Sequence, residues 1–184
     1  MTDSQLSGKK IAFLVATEGI EQVELTEPWK AVQDAGGEPV LLSTAPGKVQ
    51  AFNHLDAADT FDVDVVVDDA SPSEYAALVL PGGVANPDAL RTSLSAVKFV
   101  GQFAASTRPV AAICHAPWTL VEADAVKGRR MTSWPSLRTD LRNAGAEWVD
   151  EEVVVDRSGP GPLVTSRKPD DLPAFTRALL GELS

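Results

Sequence analysis

Short apolar runs, separated by mixed polar and apolar stretches of helix length, recur along the chain. Ile11 to Ala16, Ala77 to Leu80 and Val110 to Ile113 contain no polar residue, the pattern of strands buried on both faces of a parallel sheet. Pro39 to Ser43 predicts a further strand. The charged stretch after Ala16 reads as a helix that stops at Ala35-Gly36-Gly37. Between Pro46 and Ala70 the pattern loosens. There Val63 and Val65 alternate with Asp62 and Asp64, which predicts a half-exposed strand in a hairpin that is not central. A helix is expected from about Pro87 to Thr107. Another begins at Pro117, whose missing N–H costs nothing in a first turn, and is expected to stop near Lys127-Gly128. Met131 to Trp134 reads as a short strand, and Pro135 to Ala144 as a helix closed by Gly145. Glu151 to Val155 and Leu163 to Ser166 read as strands joined across Ser158-Gly159-Pro160-Gly161. Asp170 or Asp171 is expected to cap a last helix, Leu172 to Leu183.

Repeated strand–helix alternation predicts a single α/β domain over residues 1–184: a doubly wound, mainly parallel sheet with helices on both faces. No repeat, linker or low-complexity stretch interrupts it. Residues 1–8 are expected to be a flexible N-terminus, and Met1 to Lys10 lacks the apolar core of a signal peptide. A formal net charge of -10 argues against nucleic-acid or anionic-membrane binding, which need a basic face, and no apolar stretch is long enough to span a bilayer. One cysteine cannot form an internal disulfide or a multi-cysteine zinc site and fits a reducing cytoplasm. With His54 and His115 the two imidazoles of the chain, neither a metal nor a cofactor is expected.

Ligands of open parallel sheets bind beyond the C-terminal ends of the strands, and three such ends carry informative residues. Cys114 falls at the turn between a strand and the helix that Pro117 opens. A helix N-terminus there favours thiolate, moving a thiol from a free pKa near ~8.5 toward roughly 3.5–7.5. A lone cysteine also serves as a small buried hydrophobe, so the neighbouring features decide. Gly82-Gly83 lets backbone approach a ligand closely and offers N–H groups for an oxyanion; the N–H of His115 is a second donor. A carboxyl beside the thiol would have its pKa raised by proximity and burial and would shuttle protons. Glu21 and Glu24 both suit that place, and their spacing does not choose between them. Adjacent side chains usually point apart, so a Cys114–His115 pair needs a sharp turn. Asp88 is a candidate to orient the imidazole. His54 reads as a surface residue, Trp118 and Trp134 as packing residues or pocket walls, and Arg167 as an ion-pair partner or a carboxylate binder.

Ala77-Leu78-Val79-Leu80-Pro81-Gly82-Gly83, followed by Arg108-Pro109-Val110-Ala111-Ala112-Ile113-Cys114-His115-Ala116-Pro117, resembles the ThiJ/PfpI superfamily. Gly128-Arg129-Arg130-Met131-Thr132-Ser133-Trp134-Pro135, Asn143-Ala144-Gly145-Ala146-Glu147-Trp148-Val149-Asp150 and Val164-Thr165-Ser166-Arg167 resemble its PfpI branch. The resemblance runs from roughly Lys9 to Leu183. It implies a flavodoxin-like fold related to class I glutamine amidotransferases, assembled as a homodimer or higher homo-oligomer. It implies Cys114 as the reactive elbow cysteine, Glu24 rather than Glu21 as the glutamate bonded to it, and His115 as the adjacent histidine. Asp88 matches an acidic residue that reaches the histidine of a neighbouring subunit. Ala116 departs from the glycine common at that position and adds a methyl group beside the elbow. The expected function is a stress-response cysteine hydrolase acting on small carbonyl adducts or short peptides. The alternatives are a redox sensor working through Cys114 oxidation and a purely structural oligomer with an inert thiol.

Overall fold

The computed structural model describes residues 6–184. In chain order the elements are β1 (Lys10–Val15), β2 (Glu18–Glu21), α1 (Gln22–Asp34), β3 (Glu38–Ser43), β4 (Lys48–Asn53), β5 (Asp56–Asp62), β6 (Val65–Val66), β7 (Ala77–Leu80), α2 (Ala85–Leu90), α3 (Leu94–Ala104), β8 (Val110–Ile113), α4 (Pro117–Glu122), β9 (Arg130–Met131), α5 (Arg138–Asn143), β10 (Glu147–Trp148), β11 (Val153–Asp156), β12 (Leu163–Ser166) and α6 (Leu172–Leu183). A seven-stranded sheet runs β11-β12-β8-β7-β1-β3-β6. All neighbours pair in parallel except β11, which runs antiparallel on β12. This is the mainly parallel, doubly wound flavodoxin-like sheet expected from the alternation of elements.

Both faces of the central strands are apolar because both are covered, and successive side chains point to opposite faces. Ala12, Leu14, Leu78, Leu80 and Ala112 pack under Phe99, Val100 and Phe103 of α3 and Leu120 of α4. Ile11, Phe13, Val79, Ala111 and Ile113 pack under Leu25 and Val32 of α1 and Phe175 and Leu179 of α6. The chain winds from β1 to β3 on one side, then returns to place β7 on the other side of β1. That reversal opens a crevice beyond the carboxyl ends of β1, β7 and β8.

The loosely patterned region does contain a hairpin, but it lies elsewhere in the sequence. β4 and β5 form it and join β2 in a separate three-stranded sheet. Val65 sits instead at the edge of the main sheet, in β6. The helix expected from Pro87 to Thr107 is broken in two, because Ser93 turns extended and its Oγ accepts the N–H of Ala96 as the N-cap of α3. The helix from Pro117 ends at Glu122, well before Gly128, closed by Asp124 at a φ of 52°. The strand expected at Met131 to Trp134 is shorter and earlier, at β9, and a 3₁₀ turn over Pro135–Leu137 precedes α5. Asp171 stands at the N-cap of α6, yet its carboxylate bonds Arg167 and not the helix N–H groups. Of the segment 1–8, residues 1–5 lie outside the described residues. Leu6 is buried in the core, and its N–H donates to Ala35 O at 3.0 Å.

A buried ion pair ties the end of β11 to the segment before β9. Arg129 Nε bonds Asp156 Oδ2, and Arg129 Nη2 donates to the carbonyls of Asp156 and Gly161 at 3.0 and 2.8 Å. Burial raises the Asp156 carboxyl, but hydrogen bonds from Arg129 and Ser158 outweigh it and hold the group below its ordinary range. Its stabilisation is therefore present above the unfolded carboxylate pKa and lost as pH falls through the lower folded value. Arg129→Ala strands a buried carboxylate and is expected to lower the unfolding free energy by about 3–5 kcal/mol, read as a lower urea midpoint. Arg129→Met with Asp156→Leu should recover most of that loss.

Candidate active site

Cys114 follows the last residue of β8 with a φ of 63°, a left-handed conformation that a non-glycine residue keeps only where its surroundings enforce it. The enforcement is visible on both sides. The N–H of Cys114 donates to Ser166 O at 3.1 Å, and its carbonyl accepts from Trp134 N at 2.8 Å. This bend supplies the sharp turn that a Cys–His neighbour pair needs: Cys114 Sγ lies 3.2 Å from Nδ1 of His115.

Glu24, near the start of α1, is completely buried. Its Oε2 accepts the N–H of Gly82 at 2.8 Å, Oε1 has no hydrogen-bond partner among the described residues, and the carboxyl interacts electrostatically with the Cys114 thiol beside it. Only glycine fits at Gly82, since a Cβ there would stand 2.6 Å from the Cβ of Cys114. The backbone amides of Gly83 and His115 lie near enough to the sulfur to favour its charged form. The expectation that Gly82 and Gly83 both serve an oxyanion therefore needs correcting: the Gly82 amide is taken by Glu24, and Gly83 is the free donor. Glu21 lines the pocket too, but its Oε2 accepts the backbone N–H of His54 at 3.1 Å and not the thiol.

Burial decides the charge of all three groups. Desolvation pushes the Glu24 carboxyl from 4.5 up to about 8, with the Gly82 hydrogen bond opposing and the Glu21 charge assisting. Desolvation also pushes the Cys114 thiol up, as does the Glu24 charge when present, while the amides of Gly83 and His115 pull it down. Burial therefore opposes the thiolate that a helix N-terminus alone would favour. Helix α4 has six residues, and its dipole loses to burial. His115 is pushed down to about 4 by burial and is a neutral imidazole at neutral pH. Below pH 8 Glu24 carries a proton, so its repulsion of the sulfur vanishes and it becomes a donor to it. Glu24, Cys114 and His115 thus form a cluster of three groups that burial keeps toward their neutral forms.

These groups floor a pocket of about 720 Å³. Trp118 and Trp134 wall it, as does the β4–β5 hairpin through Phe52, His54 and Leu55. His54, expected at the surface, is exposed and lines the pocket rim at a φ of 59°. Asp88 is also on the rim, exposed, and its carboxylate makes no hydrogen bond within the chain to the described residues. Arg167 is ion-paired with Asp150 at 2.8 Å and Asp171 at 2.9 Å, so it is not a free carboxylate binder. One organiser was missed. Asn86 is fully buried and links the two loops after β1 and β7, donating to the carbonyls of Pro81 and Gly82 at 2.9 and 3.0 Å and accepting from Ala16 N at 2.7 Å. Its sequence signal was a polar residue in an otherwise apolar Val84-Ala85-Asn86-Pro87 turn. Among the described residues no group of three or more His, Cys, Asp or Glu side chains is placed to hold a metal ion, and no helix is long and apolar enough to cross a membrane.

The DJ-1/PfpI family model matches residues 9–182. The chain belongs to the DJ-1/PfpI family. It is 44% identical over 176 residues to general stress protein 18 of Bacillus subtilis, covering 96% of this chain and 98% of that protein. Protein/nucleic acid deglycase 2 of Escherichia coli is 43% identical over 172 residues, covering 94% and 96%. Among solved structures, a two-domain DJ-1/ThiJ/PfpI-like and ferritin-like protein from Anabaena variabilis superposes with a TM-score of 0.88 at 35% identity. That match covers 95% of this chain and 48% of the other, so this DJ-1/PfpI chain spans about half of the two-domain protein.

The raised Glu24 pKa makes a stability prediction. A carboxyl whose folded pKa exceeds its unfolded one contributes stability fully present below the unfolded value and lost as pH rises through the folded value. Urea denaturation should show wild type losing on the order of 4 kcal/mol between pH ~4.5 and 8.5 from this group. Glu24→Gln, which keeps the Gly82 hydrogen bond but cannot ionise, should remove that slope. An unchanged slope in the variant would mean that Glu24 does not titrate there.

Proposed function

We propose that this DJ-1/PfpI protein is a stress-response cysteine hydrolase of the deglycase kind, acting on small carbonyl adducts or short peptides. The observation that carries the reading is Cys114 in its left-handed elbow on the pocket floor, with His115 Nδ1 at 3.2 Å and the Glu24 carboxyl and two amides around the sulfur. Relatives named as deglycases and as a stress protein support it. In the proposed sequence the S–H proton passes to His115 and sulfur forms a bond to the substrate carbonyl carbon. The carbonyl π pair moves onto oxygen, held by the N–H groups of Gly83 and His115. The amine leaves with a proton from His115, and water then cleaves the carbon–sulfur bond and returns the thiol. Written this way the sequence is that of a peptide or other acyl–amine bond, and it consumes one water and releases one amine. The same proposal places the protein in the cytoplasm as a homodimer or larger assembly, in which Asp88 of a second copy is the acidic group an assembly would bring toward His115.

Turnover of methylglyoxal, glycated amino acids and short peptides is the direct test. Cys114→Ala and Cys114→Ser should each lose at least about a thousand-fold in rate on the true substrate; full turnover by either variant would refute the scheme.

A second reading, oxidation sensing by Cys114, is favoured by the protonated Glu24 carboxyl beside the sulfur, which can donate to an oxidised sulfur oxygen. Mass spectrometry of peroxide-treated protein should then show selective oxygen addition at Cys114 at low peroxide, weakened in Glu24→Ala. Oxidation no faster than that of Met131 would rule sensing out.

A further inference from the structure

The floor and the walls of the pocket offer a ligand different things. At the floor the amides of Gly83 and His115 favour negative charge beside the sulfur. Above it the walls are mostly apolar: Phe52 and Leu55 come from the hairpin, Val84 from the turn after β7, and Trp118 and Trp134 complete the wall. Leu55 is 94% exposed and Val84 56%, so the rim of the chain is apolar as well. The wall carboxylates are Glu21 and Asp88, and no lysine or arginine is among the residues that line the pocket. The cations nearest the walls are already paired. Arg91 lies over the Trp118 ring but bonds Glu122 at 3.3 Å. Arg167 and Lys168, which precede the wall residue Pro169, pair with Asp150, Asp171 and Asp170. Trp118 Nε1 is held by Asp140 at 2.9 Å, a further carboxylate. The Glu21 charge reaches the floor, where it helps Glu24 to keep its proton.

We propose that the pocket selects its substrates by charge, admitting uncharged or cationic carbonyl adducts and peptides and turning away those that bring a carboxylate or phosphate into it. Two effects add. An entering anion would exchange water for apolar walls that provide no cationic partner, and an unpaired charge is costly to desolvate. It would also approach Glu21 and Asp88, whose field is strengthened in a cleft with low-dielectric walls. A cation gains from the same two carboxylates. In an assembly, Asp88 of a second copy adds a carboxylate and not a counter-charge. The formal net charge of -10 on each chain gives the surroundings the same sign. The selection therefore falls on the carrier of the reacting carbonyl. An amine remote from any carboxylate, such as a side chain within a peptide, fits the pocket. A free amino acid or a nucleotide carries its own anion into the same space.

The substrates named rest on the proposed hydrolase reading, whereas the charge selection is measured without turnover. Because the chain has one cysteine, thiol modification reports Cys114 alone. The intact protein is treated at neutral pH with two methanethiosulfonates of similar size, one ending in trimethylammonium and the other in sulfonate. Both attack the same sulfur, so the ratio of their rates cancels the reactivity of the thiol itself. Relative to the same ratio for 2-mercaptoethanol, the protein should favour the cationic reagent by at least about ten-fold at low salt, and by less in about 0.5 M sodium chloride. Glu21→Gln keeps an acceptor for the His54 N–H and removes the charge; combined with Asp88→Asn it should bring the ratio down at least about three-fold. A wild-type ratio equal to that of 2-mercaptoethanol would overturn the proposal. So would a preference for the sulfonate, which would place a cation of a second copy in the pocket, or a ratio unchanged in the double variant. In turnover, a peptide substrate ending in an amide should exceed its carboxylate counterpart about ten-fold in kcat/KM. Charge selection with no turnover of either would keep the proposal and reject the hydrolase reading. Equal turnover of both would do the reverse.

Discussion

Burying the Glu24 carboxyl between Gly82 and Cys114 sets the terms for everything else in the site. An ionised carboxylate in that position would be short of hydrogen bonds, since one oxygen accepts from Gly82 and the other has no nitrogen or oxygen partner. Protonation is the cheaper solution. It turns a group that would repel a thiolate into one that donates to it. The enclosure that raises the carboxyl also raises the thiol and lowers the imidazole, so a single cause, exclusion of water, keeps three titratable groups neutral at rest.

The fold makes this enclosure possible by converging three strand ends. Glu24 arrives on α1 after β1 and β2, Gly82 and Gly83 on the turn after β7, and Cys114 after β8. The turns sit so close that a side chain on Gly82 would meet Cys114, and Gly83 holds a φ of 86° against Gly19. Asn86 satisfies the carbonyls that this crowding leaves over. Strand order alone would place a crevice here. The hydrogen bonds of Asn86 and the absent side chains of two glycines turn the crevice into a fixed constellation.

How much of this was legible in the sequence follows from the range of the forces involved. Strands such as Val110–Ile113 were readable because burial on both faces demands apolar residues at every position. The flat reading of Pro87 to Thr107 as one helix failed because the Ser93 cap interrupts a run whose residues otherwise suit a helix. The irregular stretch from Pro46 failed similarly: β4 and β5 pair with β2, a long-range contact that local alternation does not record. At the site, residue types pointed to Cys114, His115 and a nearby glutamate. Spacing left Glu21 and Glu24 equal, since their difference is a matter of which side of α1 faces the turn after β7, and the resemblance to relatives broke the tie. The raised carboxyl was anticipated, whereas the thiol was read in the opposite direction. A helix N-terminus is visible in sequence, whereas desolvation is a property of the assembled pocket.

In the proposed function, neutrality at rest also explains how a thiol pushed upward by burial would act as a nucleophile. A high pKa opposes losing a proton to water, which would leave an uncompensated charge in a dry site. Passing the proton to His115 3.2 Å away creates two opposite charges in contact, and the cost of desolvating each is offset by the other and by donors and acceptors already in place. On this view reactivity depends less on the thiol's own acidity than on how well the transient imidazolium is held. The stacked Trp134 and the edge of Trp118 are the rings that hold the imidazole in place.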